Sequence, residues 1–491
     1  MRGVQFFVCY CVMIITLNTH CLVFSSHIFL FYFLPTFLLV YFLVPARGRN
    51  IVLLLASIVF YAWGAPDFIL ILLASTVANF YIVRQMHRAE RQSAKRLWCA
   101  LAITICLGLL AYFKYANFFV ENVNALLEAF GLGTMAWTKV LLPIGISFFS
   151  FQSVTYVVDV YRGINKPMER LTDYVVYIIM FPQLIAGPIV RYTDIADQIT
   201  AQRRLRWEEC LQGFYRFVVG LGKKVLIADV IGRTVDVALG GNIATMDMGT
   251  AWITIIAYTM QLYFDFSGYS DMAIGLGRIM GFKFPENFNN PYTSASISEF
   301  WRRWHITLGA FMRNYLYIPL GGNRKGRGRT YLNLWLVFLL SGLWHGASWN
   351  FVIWGAYHGC FLVLERLLGI DKQHKPWRIL PTFVVLLVGW AIFRIEDLPT
   401  CWLFITRLFS FDFAGFAFAE HPQYYVTLLL ALAFAFLTLF PFGKKLERWV
   451  FYTDYGNLQH IAVWLVACML FLFCLTALTA TDFSPFIYFR F

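Results

Sequence analysis

The sequence has few charged residues and lacks the cysteine and histidine patterns that build disulfide or metal frameworks. Only 14% of its 491 residues are Asp, Glu, Lys or Arg, which is too few to cover water-soluble domains. Its ten cysteines form no C-x-x-C pair and no H-E-x-x-H motif occurs, so neither a disulfide scaffold nor a metal site is predicted. No fixed-period repeat or long linker is visible. A soluble protein and an array of separate domains are therefore excluded.

Apolar and aromatic side chains are what the sequence has in abundance. AVILMFWYC residues make up 59% and aromatics 19%, whereas soluble proteins are about 45–50% apolar. Apolar runs of spanning length recur roughly eleven to thirteen times, at about 20 residues per crossing. The clearest are residues 28–44, 51–63, 68–83, 97–113, 426–440 and 461–480. We therefore predict an all-α, polytopic integral membrane protein in which the shorter runs are tilted or re-entrant helices.

Basic residues outnumber acidic ones and cluster in short segments. The net charge of +13 would suggest nucleic acid as a partner of a soluble domain. In a membrane protein it marks cytoplasmic loops instead, so no nucleic-acid partner is predicted. Residues 301–330 contain seven Arg or Lys and no acid. We interpret this stretch as an amphipathic or re-entrant segment at the cytoplasmic face.

The N-terminal segment has some features of a targeting sequence. Arg2 followed by an apolar run resembles a signal peptide, but no A-x-A cleavage pattern follows. Residues 1–22 are therefore expected to be an extra hydrophobic segment, either a further span or the product of a misassigned start codon. Residues 23–491 are predicted to form a single transmembrane domain with its catalytic core at about residues 140–365.

Polar side chains inside apolar runs are candidates for function, because burying them in a membrane is costly. Gln152, Tyr156 and Asp159 are spaced so that they share one helical face. That face is either a hydrogen-bonded seam between helices or the wall of a substrate passage. Asp265 and Asp271 diverge by about 240° around a helix, so they do not form a paired acid/base site.

Two histidines are the strongest candidates for chemistry. His345 lies within LLSGLWHGASWN, and small neighbours leave room there for a ligand. Histidine titrates near physiological pH and suits general-base catalysis of an alcohol attacking a thioester. A buried histidine that only packs in the core is the alternative. His305, in WRRWH, is the second candidate.

Five long motifs, in this order, resemble the alginate O-acetyltransferase branch of the bacterial membrane-bound O-acyltransferases. They are LLPIGISFFSFQSVTYVVDVYRG, FPQLIAGPIVRY, YFDFSGYSDMAIGLGRIMGFKFPENFNNPY, SISEFWRRWHITLGAFMRNYLYIPLGGNR and LLSGLWHGASWNFVIWGAYHG. The resemblance implies tilted helices around a central tunnel, with His345 as the essential histidine and His305 as the second. Candidates for the tunnel wall are Gln152, Tyr156, Asp159, Asp265, Ser267, Asp271, Trp344 and Asn350.

The resemblance also implies a donor, partners and a location. Acetyl-CoA or an acyl carrier is expected on the cytoplasmic side, with no tightly bound cofactor, and its phosphates would meet Arg302, Arg303, Arg324 and Lys325. Membrane topology alone is the simpler explanation of those charges. The expected partners are a periplasmic protein with a serine nucleophile and an exported polysaccharide such as alginate, at the lipid of the bacterial inner membrane. Transfer of D-alanine, acylation of peptidoglycan and a non-catalytic export channel remain alternatives.

Overall fold

A computed structural model describes residues 23–370, 375–412, 421–451, 455–480 and 486–487. The predicted N-terminal segment 1–22 lies outside these residues. All regular secondary structure in the described part of the chain is helical, which confirms the all-α prediction.

The α-helices are numbered here in chain order. They are α1 (Leu34–Leu43), α2 (Arg49–Gly64), α3 (Ile69–Arg88), α4 (Gln92–Ala129), α5 (Ile146–Tyr161), α6 (Leu171–Ile179), α7 (Phe181–Leu184), α8 (Tyr192–Thr200), α9 (Trp207–Gly222), α10 (Asp229–Gly240), α11 (Met248–Ile279), α12 (Ile297–Arg303), α13 (Ile306–Phe311), α14 (Arg327–His345), α15 (Trp349–Leu367), α16 (Ile379–Arg394), α17 (Leu398–Arg407), α18 (Pro422–Phe436), α19 (Pro441–Phe451) and α20 (Asn457–Ala480).

Shorter segments join or extend these helices. π-Helical turns occupy Ile28–Phe33, Lys223–Ala228 and Met312–Tyr317, and 3₁₀ turns occupy Ala46–Gly48, Pro66–Phe68, Ile243–Thr245, Pro291–Thr293, Pro376–Arg378 and Leu437–Leu439.

Five helical segments of the described chain are long and apolar enough to cross a membrane. They are Pro66–Arg88, Gln92–Ala129, Pro376–Arg394, Pro422–Leu439 and Asn457–Ala480. Other predicted crossings fall in helices that are short, such as the segment Ile28–Leu43, or that are buried and carry charges. The chain is thus a multi-pass membrane protein.

The buried helix α11 packs closely against α9 through facing glycines. A Cβ added at Gly220 would lie 2.5 Å from the carbonyl oxygen of Gly268, and one added at Gly213 would lie 2.7 Å from that of Gly275. Only glycine permits so close an approach of two helices. This packing places the polar residues of α11 inside the protein, away from lipid.

Basic segments that are distant in sequence contact other loop segments, and we infer that they lie at one end of the molecule, which we call the basic end. Arg49 donates a hydrogen bond to the carbonyl oxygen of Arg203 at 3.0 Å, and Arg162 donates one to the carbonyl of Asn314 at 3.2 Å. Helix α14 begins near this end, at Arg327, and runs about 27 Å at 1.5 Å per residue. His345 therefore lies toward the opposite end.

The stretch predicted to be amphipathic or re-entrant consists of short, interrupted helices. Helix α12 ends at Arg303, His305 adopts a left-handed conformation with φ 45°, and α13 and the π-helical turn Met312–Tyr317 follow. His305, Leu308 and Phe311 are buried. Interrupted backbone at membrane depth is tolerated where protein covers it, and here the interruption positions His305.

Candidate functional site

The site is built where the hairpin of α14 and α15 turns back. A Cβ at Gly342 would lie 2.2 Å from the carbonyl oxygen of Phe351, and one at Gly355 would lie 2.5 Å from that of Phe338. The two helices therefore approach at van der Waals distance. Helix α14 ends at His345, because the backbone of Gly346 is extended.

The imidazole of His345 is held among aromatic rings and is only 5% exposed. Its ring centroid lies 4.8 Å from that of Trp344, 5.1 Å from that of Trp354 and 5.4 Å from that of Phe393. Asn350 supports this arrangement, since its Nδ2 lies 3.4 Å from the carbonyl oxygen of Phe393. Its side chain thus ties α15 to the end of α16.

One side of His345 faces a cavity of about 100 Å³, which is large enough for water or a small acyl group. The wall is formed by residues of α4, of the loop before α5 and the first turn of α5, of the segment after α7, and of the end of α14. It consists of Lys114, Leu142, Pro143, Ile144, Gly145, Ile146, Ser147, Phe148, Ile185, Trp344 and His345. Leu142 is 40% exposed, so the wall extends to the protein surface.

The side chain of Lys114 is buried within this wall. Its Nζ donates to the backbone carbonyl of Trp344 and, at 3.1 Å, to that of His345, and it lies 3.4 Å from Ser147 Oγ. The last carbonyls of a helix have no partner within the helix and carry partial negative charge. Lys114 therefore caps α14 at the residue that carries the imidazole and brings its amino group to the cavity.

His305 lies close to Trp344 as well. Their ring centroids are 6.2 Å apart, so both histidines pack against the same indole. The Nδ1 atom of His305 is 3.1 Å from Asn287 Oδ1, which also accepts a hydrogen bond from the Thr307 hydroxyl at 2.9 Å. The structure thus brings His305 and His345, which are 40 positions apart in sequence, to the same tryptophan. That residue, Trp344, is itself one of the candidates for the tunnel wall.

The polar face of α5 lies elsewhere. Gln152, Tyr156 and Asp159 are all buried, but none belongs to the wall of the His345 cavity. Tyr156 packs against Tyr174 with centroids 4.3 Å apart, and both carboxylate oxygens of Asp159 lie 2.8 Å from the Tyr315 hydroxyl. Helix α5 contributes Ser147 to the cavity instead.

The two carboxylates of α11 bind different cations. Asp265 is 2.7 Å from the buried Lys224, and Asp271 is 2.6 Å from both Arg216 and Lys223. Ser267 and Asp271 line a second cavity, of about 490 Å³, which also reaches Asn287.

None of the four basic residues that are candidates for the donor phosphates belongs to the wall of the His345 cavity. Arg302, Arg324 and Lys325 are exposed, whereas Arg303 is bound to Glu299 and donates to the Thr293 hydroxyl at 2.8 Å. Arg324 and Lys325 precede α14 at the basic end, one helix length from the imidazole.

The protein is a polytopic helical body in which His345 and Lys114 line one buried cavity. This arrangement is suited to transfer of an acyl group between a donor and an acceptor on different sides of a membrane. The sequence model of the membrane-bound O-acyltransferase family matches residues 164–370. The probable alginate O-acetylase of Azotobacter vinelandii is 42% identical over 503 residues, covering 96% of this chain and all of the relative.

Two further relatives extend the comparison. The probable alginate O-acetylase of Pseudomonas aeruginosa is 48% identical over 394 residues, covering 79% of this chain and 75% of its own. The peptidoglycan O-acetyltransferase of Helicobacter pylori is 37% identical over 422 residues, which cover 78% of this chain and 79% of the relative. The chain belongs to the membrane-bound O-acyltransferase family, as its motifs predicted, and it is an O-acyltransferase.

Proposed function

We propose that this protein transfers acetyl groups from a cytoplasmic thioester donor, acetyl-CoA, for the O-acetylation of an exported polysaccharide such as alginate, in the inner membrane of a bacterium. The names of its relatives from Azotobacter and Pseudomonas support this acceptor. The concentration of basic loops at one end supports a cytoplasmic orientation of that end.

The observation that carries the proposal is that His345 and Lys114 share one cavity. In the proposed reaction the neutral imidazole removes the proton of an acceptor hydroxyl. The oxygen of that hydroxyl attacks the carbonyl carbon of the thioester at the same time. The Lys114 ammonium stabilises the oxyanion that forms, using the donor that is directed at Ser147 Oγ, 3.4 Å away. When the C–S bond breaks, the imidazolium gives its proton to the leaving thiolate, so that a new ester and a free thiol result.

His305 would support this reaction from its position beside Trp344. Its hydrogen-bonding partner Asn287 restricts the orientation of its ring. We propose that it assists either proton transfer or the placement of the donor. The tunnel residues predicted on α5 and α11 remain candidates for the path between the two membrane faces.

The acceptor hydroxyl belongs either to the polysaccharide or to a serine of a periplasmic partner protein that passes the acetyl group on. His345 lies toward the end opposite the basic loops, which suits an acceptor on the periplasmic side. The Helicobacter relative makes peptidoglycan the principal alternative acceptor.

The direct test is the variant His345→Ala, compared with His345→Gln and with the exposed-histidine control His87→Ala, in cells that make the polymer. We expect both His345 variants to be present in the membrane at normal levels but to leave the polymer without acetyl esters, because no base remains at the cavity. His87→Ala should acetylate normally. Normal acetylation by either His345 variant would refute the proposed base.

The donor is tested with purified protein reconstituted with its partner and acceptor. Radiolabelled acetyl-CoA should pass its acetyl group to the acceptor with wild type and not with His345→Ala. Consumption of a D-alanyl carrier thioester in place of acetyl-CoA would identify the alternative donor.

A further inference from the structure

The 490 Å³ cavity beside α11 combines a charged floor with an apolar wall. The floor carries two cationic and three acidic side chains, namely Arg216, Lys223, Asp271, Glu286 and Glu447. Apolar residues of α9, α18, α19 and α20 form much of the remaining lining, which we call the wall. A chamber with this lining suits an amphipathic molecule better than a wholly polar or wholly apolar one.

The chamber is open toward the lipid. Leu430 and Phe434 of α18 both belong to its wall, yet they are 49% and 54% exposed. In a membrane protein the surroundings of such residues are hydrocarbon chains. A molecule in the bilayer can therefore reach the chamber from the side.

The length of the chamber wall is close to the thickness of the hydrocarbon layer of one membrane leaflet. Its wall extends along the chain from Thr427 to Thr438, which at 1.5 Å per residue is about 16 Å. Half of a hydrocarbon core of about 30 Å is about 15 Å. The charged floor lies toward the basic end, where the backbone N–H of Lys283, three residues before Glu286, donates a hydrogen bond to Gln198 Oε1 at 2.7 Å.

Helix α19 closes the chamber at headgroup level. It carries the exposed Lys444 and Lys445 together with Phe442, which is 69% exposed. Helices with exposed basic and aromatic residues of this kind lie in the membrane interface. Glu447, on the same helix, faces into the chamber, where Asn290 donates a hydrogen bond to it at 2.7 Å.

The charges of the floor indicate the headgroup. Arg216 bonds to Asp271 and Glu286 at 2.6 and 2.7 Å, and Lys223 bonds to Asp271 at 2.6 Å. Glu447 adds a third carboxylate, so the floor has an excess of negative charge. A headgroup with an ammonium complements Glu447, whereas a purely anionic headgroup is disfavoured.

From these features we infer that the chamber binds one phospholipid of the basic-end leaflet, with an ethanolamine headgroup at Glu447 and an acyl chain along Leu430 and Phe434. This inference rests on the chamber alone and does not depend on the proposed acetyl transfer.

The test measures phospholipid that remains with the full-length protein after purification in mild detergent, quantified per chain by mass spectrometry. The variant Leu430→Trp narrows the mouth of the chamber, and Leu429→Trp is the matched control, since Leu429 is 66% exposed but lies outside the wall. We expect the wild type and the control to retain one ethanolamine phospholipid per chain. The variant Leu430→Trp should retain none. Wild type without bound phospholipid, or full retention by Leu430→Trp, would overturn the inference.

A second variant tests the headgroup without altering the mouth. Wild type and Glu447→Gln are placed in bilayers of equal phosphatidylethanolamine and phosphatidylglycerol and purified again. Wild type should retain the ethanolamine lipid preferentially, and Glu447→Gln should reduce that preference about fivefold, as expected for loss of a partly exposed ion pair. Equal retention of both lipids by wild type would contradict the assignment.

Discussion

At the scale of single residues, the structure brings to the cavity a side chain, Lys114, that is not among the residues predicted from the sequence. The apolar run that begins at Leu97 ends at Phe113, directly before Lys114. Helix α4 in fact continues to Ala129, so Lys114 is an ionisable residue inside a long apolar helix. That is the kind of signal that marks a functional position in a membrane protein.

We predict that Lys114→Met lowers acetyl transfer at least about tenfold, because two carbonyls at the end of α14 lose their donor at a cost of about 1–3 kcal/mol and the imidazole shifts. Acetyl esters per polymer and the thermal unfolding temperature would be measured together. Lys114→Arg should restore part of the activity, since it keeps a cation and donors.

Lys139→Met serves as the control, because the side chain of Lys139 is 80% exposed and should tolerate substitution. Full activity of Lys114→Met would show that Lys114 neither positions His345 nor stabilises the oxyanion.

At the scale of elements, the hairpin of α14 and α15 determines where the imidazole lies. The spacing of glycines in the motif indicated close packing but could not show which backbone would fill the space. The structure shows that Gly342 faces Phe351 and Gly355. The turn around Gly346 is held by this contact and by Asn350, which bonds to the end of α16.

We predict that Gly342→Ala destabilises the protein by about 1–3 kcal/mol, as overpacking typically does, and also reduces acetylation, because α14 must move away from α15. The midpoint of thermal unfolding in detergent and acetyl transfer would both be measured.

Gly108→Ala is the matched control within α4, since an added Cβ there meets nothing within 4 Å. It should be neutral or slightly stabilising. An unfolding midpoint of Gly342→Ala equal to that of wild type would contradict the close packing of the hairpin.

At the scale of the whole molecule, the basic end and the His345 end are separated by the length of α14. By the positive-inside rule we expect the basic end to face the cytoplasm. Helix α4, which begins at Gln92 near the basic end, carries the chain to the loop after Ala129 at the opposite side. In the proposed reaction the donor and the acceptor would then approach from separate sides of one protein.

We predict that Lys325→Cys reacts with a membrane-impermeant thiol reagent only after the inner membrane is permeabilised, and that Thr134→Cys reacts in cells with an intact inner membrane. Both residues are exposed. The measurement is gel-shift labelling in a background in which the ten native cysteines are replaced by serine and acetylation is retained. The reverse pattern would invert the orientation.

The sequence by itself determined the class of this protein. Its apolar content and short basic loops are consequences of the bilayer acting as solvent, and this constraint acts on each segment locally. The motif around His345 and the overall resemblance were sufficient to predict the family. These properties depend on neighbouring residues along the chain, so one sequence was enough to establish them.

Only the tertiary structure decided which polar residues share a site. In the structure Lys114 and Ser147 line the same cavity as His345. Asp265 forms an ion pair with Lys224, and Asp271 lines a separate chamber. A helical wheel shows which side chains share a face but not what that face meets, because the partner comes from a distant part of the chain. Packing between helices, and not periodicity within them, therefore selected the residues around the imidazole.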